Sequence, residues 1–314
     1  MILSVSRRTD IPAYYADWFM QRLAEGTVLV RNPMNHAQLS RVSLSPATVD
    51  CIVFWTKDAE PMLRHLDALD ALGYAYAFQF TVTPYGPDLE PRLRDKAAVE
   101  ETFCTLSRRL GRHRVLWRYD PIVVDDRYPV EWHRQQFDRL CARFAPYTET
   151  VTISFIDLYP KLKGRPLRAP DDGEIEQLAR HIGQTAAAYG LTARACCEQM
   201  DLRGFGIQPG ACLDPAVLSR VCGARLALRP DRNQRPGCGC CASVDIGAYN
   251  TCPAGCVYCY ANYSAASVER SRRQHDPTGE LLTGAVLPGE RITQRPVRSN
   301  RQGPNVECVP EEKE

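Results

Sequence analysis

Cys252, Cys256 and Cys259 stand in one run, Cys252-Pro-Ala-Gly-Cys256-Val-Tyr-Cys259, and thiols so spaced can converge from a single loop on one inorganic centre. Short Cys spacings are the usual way a chain holds an iron–sulfur cluster. Three thiolates on a four-iron cube leave one iron without a protein ligand, and a small molecule can chelate at that position. Gly255 lets the loop bend, and Tyr258 offers an aromatic face to a flat ligand. A second set of cysteines lies upstream. One glycine separates Cys238 from Cys240, and Cys196 and Cys212 sit in polar, glycine-containing segments. Four thiolates would close a cluster completely and give an auxiliary 4Fe-4S centre. Cys197 and Cys241 are equally available by position, and a zinc ion held by four thiolates fits the same residues. Cys51, Cys104, Cys141 and Cys222 stand alone in apolar surroundings, where a buried thiol acts as a small hydrophobe.

The elements that must carry these residues alternate between strand and helix. Residues 2–6 read as a strand, followed by a helix through Tyr15, Trp18, Phe19 and Leu23 that ends near Gly26. Residues 28–31 and 39–44 make a small hairpin. Residues 51–55 are continuously apolar, the pattern of a parallel strand buried on both faces. Met62, Leu63, Leu66, Leu69 and Leu72 predict one helix that stops at Gly73. Strands follow at 76–83, 115–120, 151–155, 192–196 and 243–248. Helices between them carry Val99 to Leu110, Phe137 to Phe144 and Ile175 to Ile182, and Asp214-Pro215 opens another. Alternation over residues 1–270 predicts one α/β domain, a partial or full parallel β/α barrel, with an open doubly wound sheet as the second choice. Polar residues cap the strand ends, and in a barrel those ends share the mouth where catalysis sits. Residues 271–314 form a polar tail, rich in Arg and Pro and ending Glu311-Glu312-Lys313-Glu314, expected to pack over the barrel or extend from it.

Composition narrows the class. With 44% hydrophobic and 24% charged residues over 314 positions, the chain is neither disordered nor fibrous. Lys+Arg number 39 against 37 Asp+Glu, which gives no sign of a general nucleic-acid or anionic-membrane surface. No apolar run approaches the roughly 18–20 residues of a bilayer span, and the start lacks a secretory h-region. The expectation is a soluble cytoplasmic protein. In a reducing cytosol, 14 cysteines point to metal rather than to disulfides.

Cys-x3-Cys-x2-Cys with an aromatic before the third Cys resembles the signature loop of radical S-adenosylmethionine (SAM) enzymes. That resemblance implies a 4Fe-4S cluster on Cys252, Cys256 and Cys259, with S-adenosyl-L-methionine on its fourth iron. It implies one-electron cleavage of SAM to methionine and a 5′-deoxyadenosyl radical that takes a substrate hydrogen. An electron donor such as flavodoxin or ferredoxin, an unknown substrate and a β/α barrel scaffold come with it. The order differs from that superfamily, whose loop follows the first barrel strand near the N-terminus. Here the loop follows residues 243–248. If that strand lies beside residues 2–6, the barrel is circularly permuted. Ser6-Arg7-Arg8-Thr9-Asp10 then ends the second strand, where the superfamily binds the methionine part of SAM, although the glycine-rich form often seen there is absent. Ser6 to Pro12, Arg31-Asn32-Pro33, Phe54-Trp55-Thr56-Lys57, Trp117-Arg118-Tyr119-Asp120-Pro121 and the block from Cys238 to Asn262 are also similar to a bacterial family with no established substrate, over nearly the whole chain.

Roles follow within that reading. Tyr258 contacts adenine, and Arg7, Arg8 or Lys57 pairs the SAM carboxylate. Gln79 and Thr81 line the cavity on the cofactor side. Arg118, Asp120 and Glu198 are the candidate catalytic groups. The alternative is a zinc-stabilised nucleic-acid-binding protein on the same cysteines. Arg270, Arg272 and Arg273 favour it, while the near-neutral charge and the lack of a paired-cysteine knuckle after Cys259 oppose it. His36, His65, His113, His133, His181 and His275 are scattered and read as surface or core packing.

Overall fold

Strands covered on both faces must be apolar along their length, and this requirement sets the layering. The computed structural model describes residues 1–235 and 237–302. Its strands are β1 (Ile2–Val5), β2 (Thr27–Arg31), β3 (Gln38–Ser43), β4 (Cys51–Thr56), β5 (Tyr76–Thr81), β6 (Val115–Ile122), β7 (Thr150–Phe155), β8 (Thr192–Cys196), β9 (Gln208–Gly210), β10 (Val244–Asp245) and β11 (Arg291–Gln294). Eight of them form one sheet in the order β10-β1-β4-β5-β6-β7-β8-β9. Every neighbouring pair in it is parallel. All four residues of β1 are buried, as are nearly all of β4, β5 and β7.

The order of strand addition is informative. From β1 to β9 each new strand joins on the same side, whereas a doubly wound sheet reverses direction part-way. The chain then returns to the opposite edge, where Val244 and Asp245 pair with Leu3 and Ser4. The strand before the cysteine loop therefore lies beside the first strand of the chain, as its sequence position suggests. It is shorter than residues 243–248. Ile246 N–H still donates to Ser4 O at 3.2 Å, but Gly247 N–H turns back to the Asp245 carboxylate and the ladder stops. Between β9 and β10 there is no strand pairing among the described residues. Leu213, just beyond β9, and Cys241, just before β10, share one backbone hydrogen bond of 3.1 Å.

Helices flank the sheet, and their caps match the residues that announced them. Asp214 caps the helix Pro215–Cys222, and Gly26 and Gly223 end theirs in the left-handed conformation. The single helix expected through Leu72 is two short ones, Glu60–Leu63 and Leu66–Ala71. At the break, Arg64 and His65 both turn to Asp17 on the helix Ala16–Glu25, at 2.7 and 2.8 Å. The expected hairpin is present as the antiparallel pair β2–β3, and β11 extends it by pairing parallel to β3. Apolar periodicity missed β9, β11 and the helix Ala265–Arg273, because they are short or largely polar. Residues of the 271–302 stretch contact the body: Trp18 donates to Gly279 O and Arg22 to Thr278 O. Glu311-Glu312-Lys313-Glu314 lies outside the described residues. No helix among those described is long and apolar enough to cross a membrane.

One buried histidine makes stability depend on pH. His133, on the helix Val130–Phe144, is 1% exposed. Its Nε2–H donates to Val123 O, since a carbonyl can only accept, so Nδ1 accepts from the Tyr119 hydroxyl; both distances are 2.8 Å. Burial holds its pKa down at about 4, against 6.5 for an ordinary histidine. The unfolded chain therefore binds the proton first. This contribution is complete above pH ~6.5 and is lost as pH falls towards 4, by about 3 kcal/mol in all. Urea unfolding at a series of pH values should show that slope in the wild type and a flatter profile in His133→Gln. Parallel profiles would contradict the assignment.

Candidate functional site

The carboxyl ends of β1, β4, β5, β6, β7 and β8 open onto one cavity of about 290 Å³. Cys252, Cys256, Cys259 and Tyr258 line it from the loop that follows β10, facing Arg7, Arg8, Lys57, Thr81, Arg118 and Asp120. The structure thus brings the three loop thiols together with most of the residues singled out by sequence. Two stand apart. Gln79 points elsewhere, donating to Cys212 O at 2.5 Å beside Thr152 and Arg194. Glu198 lies in a neighbouring hollow with Cys197 and Met200, where it accepts from Phe155 N–H. Burial raises its carboxyl to about 7.

Asp245 locks the loop to the strand ends. Its carboxylate accepts from Ser4 Oγ (2.8 Å), Ser6 Oγ (2.7 Å), Arg7 N (2.8 Å) and Gly247 N (3.0 Å). The fit at Gly247 is tight: a Cβ there would come within 2.0 Å of Ser6 Oγ. The loop has no regular structure and is held by its backbone groups instead. Val257 N–H donates to Leu89 O at 2.9 Å, Tyr15 OH to Thr251 O at 2.6 Å and Asn262 to Cys252 O at 2.7 Å. Arg165 bonds Val257 O, and Gly255 makes the turn with φ of 72°. Ala261 N–H donates to Cys259 Sγ at 3.2 Å. Burial pushes the Cys256 thiol up to about 12 and also raises Cys252, against which the Asp10 N–H supports its thiolate. A cation that replaces those protons removes the cost of ionising them.

Beneath the loop lies a charged network that sequence spacing did not reveal. Glu90 is 2% exposed, and Lys57 Nζ reaches it at 2.7 Å; Lys96 and the Tyr258 hydroxyl bond it too. Burial pushes the Glu90 carboxyl up, but the two lysines overcome this and hold it at about 2. Lys57 also stands 5.4 Å from the Tyr258 ring centre. Tyr258 is therefore fixed at its hydroxyl, with its ring on the cavity wall. Asp10, in the run that ends β1, is a second buried carboxyl. It accepts from Lys57 N at 2.7 Å and Ala13 N at 3.1 Å, and burial raises it to about 7.

Residues 2–261 match the family model of a domain of unknown function, DUF1848. The chain belongs to the DUF1848 family. No curated protein and no solved structure matches it.

In this DUF1848 protein the second set of cysteines also converges. Cys196 Sγ and Cys212 Sγ are 3.1 Å apart, and Arg118 Nη1 donates to Cys212 Sγ at 2.8 Å. Cys212 is drawn well below the usual thiol range by hydrogen bonds from Cys196 and Cys240, against its burial and with help from Arg118. The other guanidinium arm bonds Asp120, which also accepts from Ser154. Cys238 packs against the same cluster, and Cys197, whose thiol is raised by burial with Cys238 adding to it, holds φ at 59°. Among the described residues, no group of three or more His, Cys, Asp or Glu side chains is already spaced to hold a metal ion. The described thiols are all free of disulfides.

Removing the Asp245 carboxylate leaves four inward donors without their acceptor. Asp245→Ala should lower the free energy of unfolding by about 3 kcal/mol. Denaturant titration of the full chain would measure it, and a loss below about 0.5 kcal/mol, the size of an ordinary surface substitution, would refute the anchoring role.

Proposed function

We propose that this DUF1848 protein is a radical SAM enzyme built on a partial β/α barrel in circularly permuted order. The carrying observation is that Cys252, Cys256 and Cys259 line one cavity beside Tyr258, on a loop that leaves the strand preceding β1 in the sheet. The steady one-way addition of strands and the Leu213–Cys241 bond across the open edge favour the barrel. The donor set suits an iron–sulfur cluster: three soft sulfurs from one loop, each free of a disulfide, with main-chain N–H groups aimed at Cys252 and Cys259. In a cuboidal cluster each thiolate takes a different iron, so the sulfurs stand farther apart than around a single ion.

A 4Fe-4S cluster with SAM supplies reductive cleavage of SAM as a source of a hydrogen-abstracting radical; the chain supplies binding and exclusion. Arg8 is the cation for the SAM carboxylate. Its ties to protein are loose, 3.4 Å to Gly247 O and 3.9 Å to Asp245, whereas Lys57 is committed to Glu90. Tyr258 presents its ring to adenine. Thr81, Arg118 and Asp120 face the substrate, and Ala254, Phe155 and Ile156 keep part of the wall apolar. Gln79 and Glu198 have no place in this cavity. The zinc-based nucleic-acid reading gains nothing from the basic helix, because Arg272 and Arg273 both face Glu269, at 3.7 and 3.2 Å.

Anaerobically reconstituted full-length protein should be brown and, once reduced, should release 5′-deoxyadenosine from SAM. Cys256→Ala should abolish cluster loading at the loop and SAM cleavage together. Absence of 5′-deoxyadenosine with every reductant, or full turnover by Cys256→Ala, would overturn the proposal.

A further inference from the structure

The cavity has a second sulfur-lined wall. Cys196, the last residue of β8, contributes to its lining, and Cys212 and Cys240 lie behind it in one buried cluster with Ile2, Cys51, Val53 and Trp55. These thiols come from three separate segments: the end of β8, the turn after β9 and the approach to β10. Cys212 and Cys240 flank the open edge beyond β9, where strand pairing stops, and Cys196 ends the strand next to it. Leu213 N–H donates to Cys240 Sγ at 3.5 Å, so this sulfur already receives a main-chain donor.

Two guanidinium groups face the same place. Arg118 donates to Cys212 Sγ, and its carbon stands 5.4 Å from the Trp55 ring centre. Arg7 stands 5.0 Å from that ring, close enough for its charge to act on Cys240 and Cys241. Arg7 Nη2 and Trp55 Nε1 are both buried, and neither has a hydrogen-bond partner. Buried donors without acceptors are uncommon and point to something that normally meets them. What is missing is negative and accepts N–H bonds. A single zinc ion offers no acceptor beyond its ligand sulfurs, and around either kind of centre Cys196 Sγ and Cys212 Sγ, 3.1 Å apart, must separate. An iron–sulfur cluster adds inorganic sulfides that accept such bonds.

We propose that Cys196, Cys212 and Cys240 bind a second iron–sulfur cluster, one face of which opens to the cavity beside Cys196 and which Arg7 and Arg118 neutralise. One of Cys197, next to Cys196, and Cys238, two residues from Cys240, carries the fourth sulfur. The cluster joins the β8–β9 edge to β10 and so closes the seam that backbone pairing leaves open. It does not depend on SAM binding at the loop.

The test separates the two centres. The variant Cys252→Ala/Cys256→Ala/Cys259→Ala, reconstituted anaerobically as the full chain, should keep about four iron and four sulfide per chain, half the wild-type load. Its reduced electron paramagnetic resonance spectrum should not change with SAM. Cys196→Ala/Cys212→Ala/Cys240→Ala should lose the complementary half and keep a SAM-responsive signal. If either variant fails to fold by circular dichroism, the wild type decides: it should show two reduced signals, only one of them shifted by SAM. A loop variant that holds zinc or no metal, or a wild type with only one signal and that one shifted by SAM, overturns the second cluster without touching the first. A wild type whose single signal ignores SAM would sink the loop assignment instead.

Discussion

Everything at the mouth of this fold depends on one carboxylate. Asp245 ends a strand of only two residues, too short to hold its place by pairing alone. Four hydrogen bonds from Ser4, Ser6, Arg7 and Gly247 make up the difference, and they hold the start of the cysteine loop above the end of β1. Hydrogen bonds to a charged acceptor are stronger than neutral ones, and this acceptor is largely shielded from water. The requirement for Gly at 247 follows, since the backbone must pass within contact of Ser6.

Charge is balanced in the same economical way beneath the loop. A cavity that faces thiols needs nearby cations, yet buried lysines lose their charge unless an anion keeps it. Glu90 does so for Lys57, whose pKa stays raised although burial alone would lower it. The same carboxylate takes the Tyr258 hydroxyl, so loop position and local charge are set by one group. Arg118 plays the matching part on the other wall, with one arm on Cys212 and the other on Asp120.

Much of this was legible in the sequence, for definite reasons. Buried parallel strands such as Cys51–Thr56 announce themselves by unbroken apolar runs, and the helix caps Asp214 and Gly26 by residue type. Cys252, Cys256 and Cys259 were visible because their ligand chemistry is local to one loop. Asp245 and Glu90 were not, because each acts largely through partners far away in sequence and has no spacing signature. Glu90 meets Tyr258 across 168 positions, and Asp245 meets Ser4 across 241. A two-residue strand carries no periodicity either. Gln79 shows the opposite error: it shares a face with Thr81, two residues on, but lies one step further from the strand end and bonds Cys212 O instead of reaching the mouth.

The strand order explains why both sets of cysteines gather where they do. A sheet that begins at β1 and ends at β10 must bring its last strand back to its first, and the closing edge has few backbone bonds to spend. Among the described residues that edge is spanned by Leu213–Cys241 and little other main-chain pairing. Thiols from β8, from the turn after β9 and from the run before β10 converge there. On the opposite side of β10 the loop thiols begin. The short strand β10 thus stands between two sulfur sites, and each fixes what backbone pairing leaves loose. An order in which the loop came first would place that seam elsewhere, so the return of β10 to β1 is what lets one cavity touch thiols of both sets.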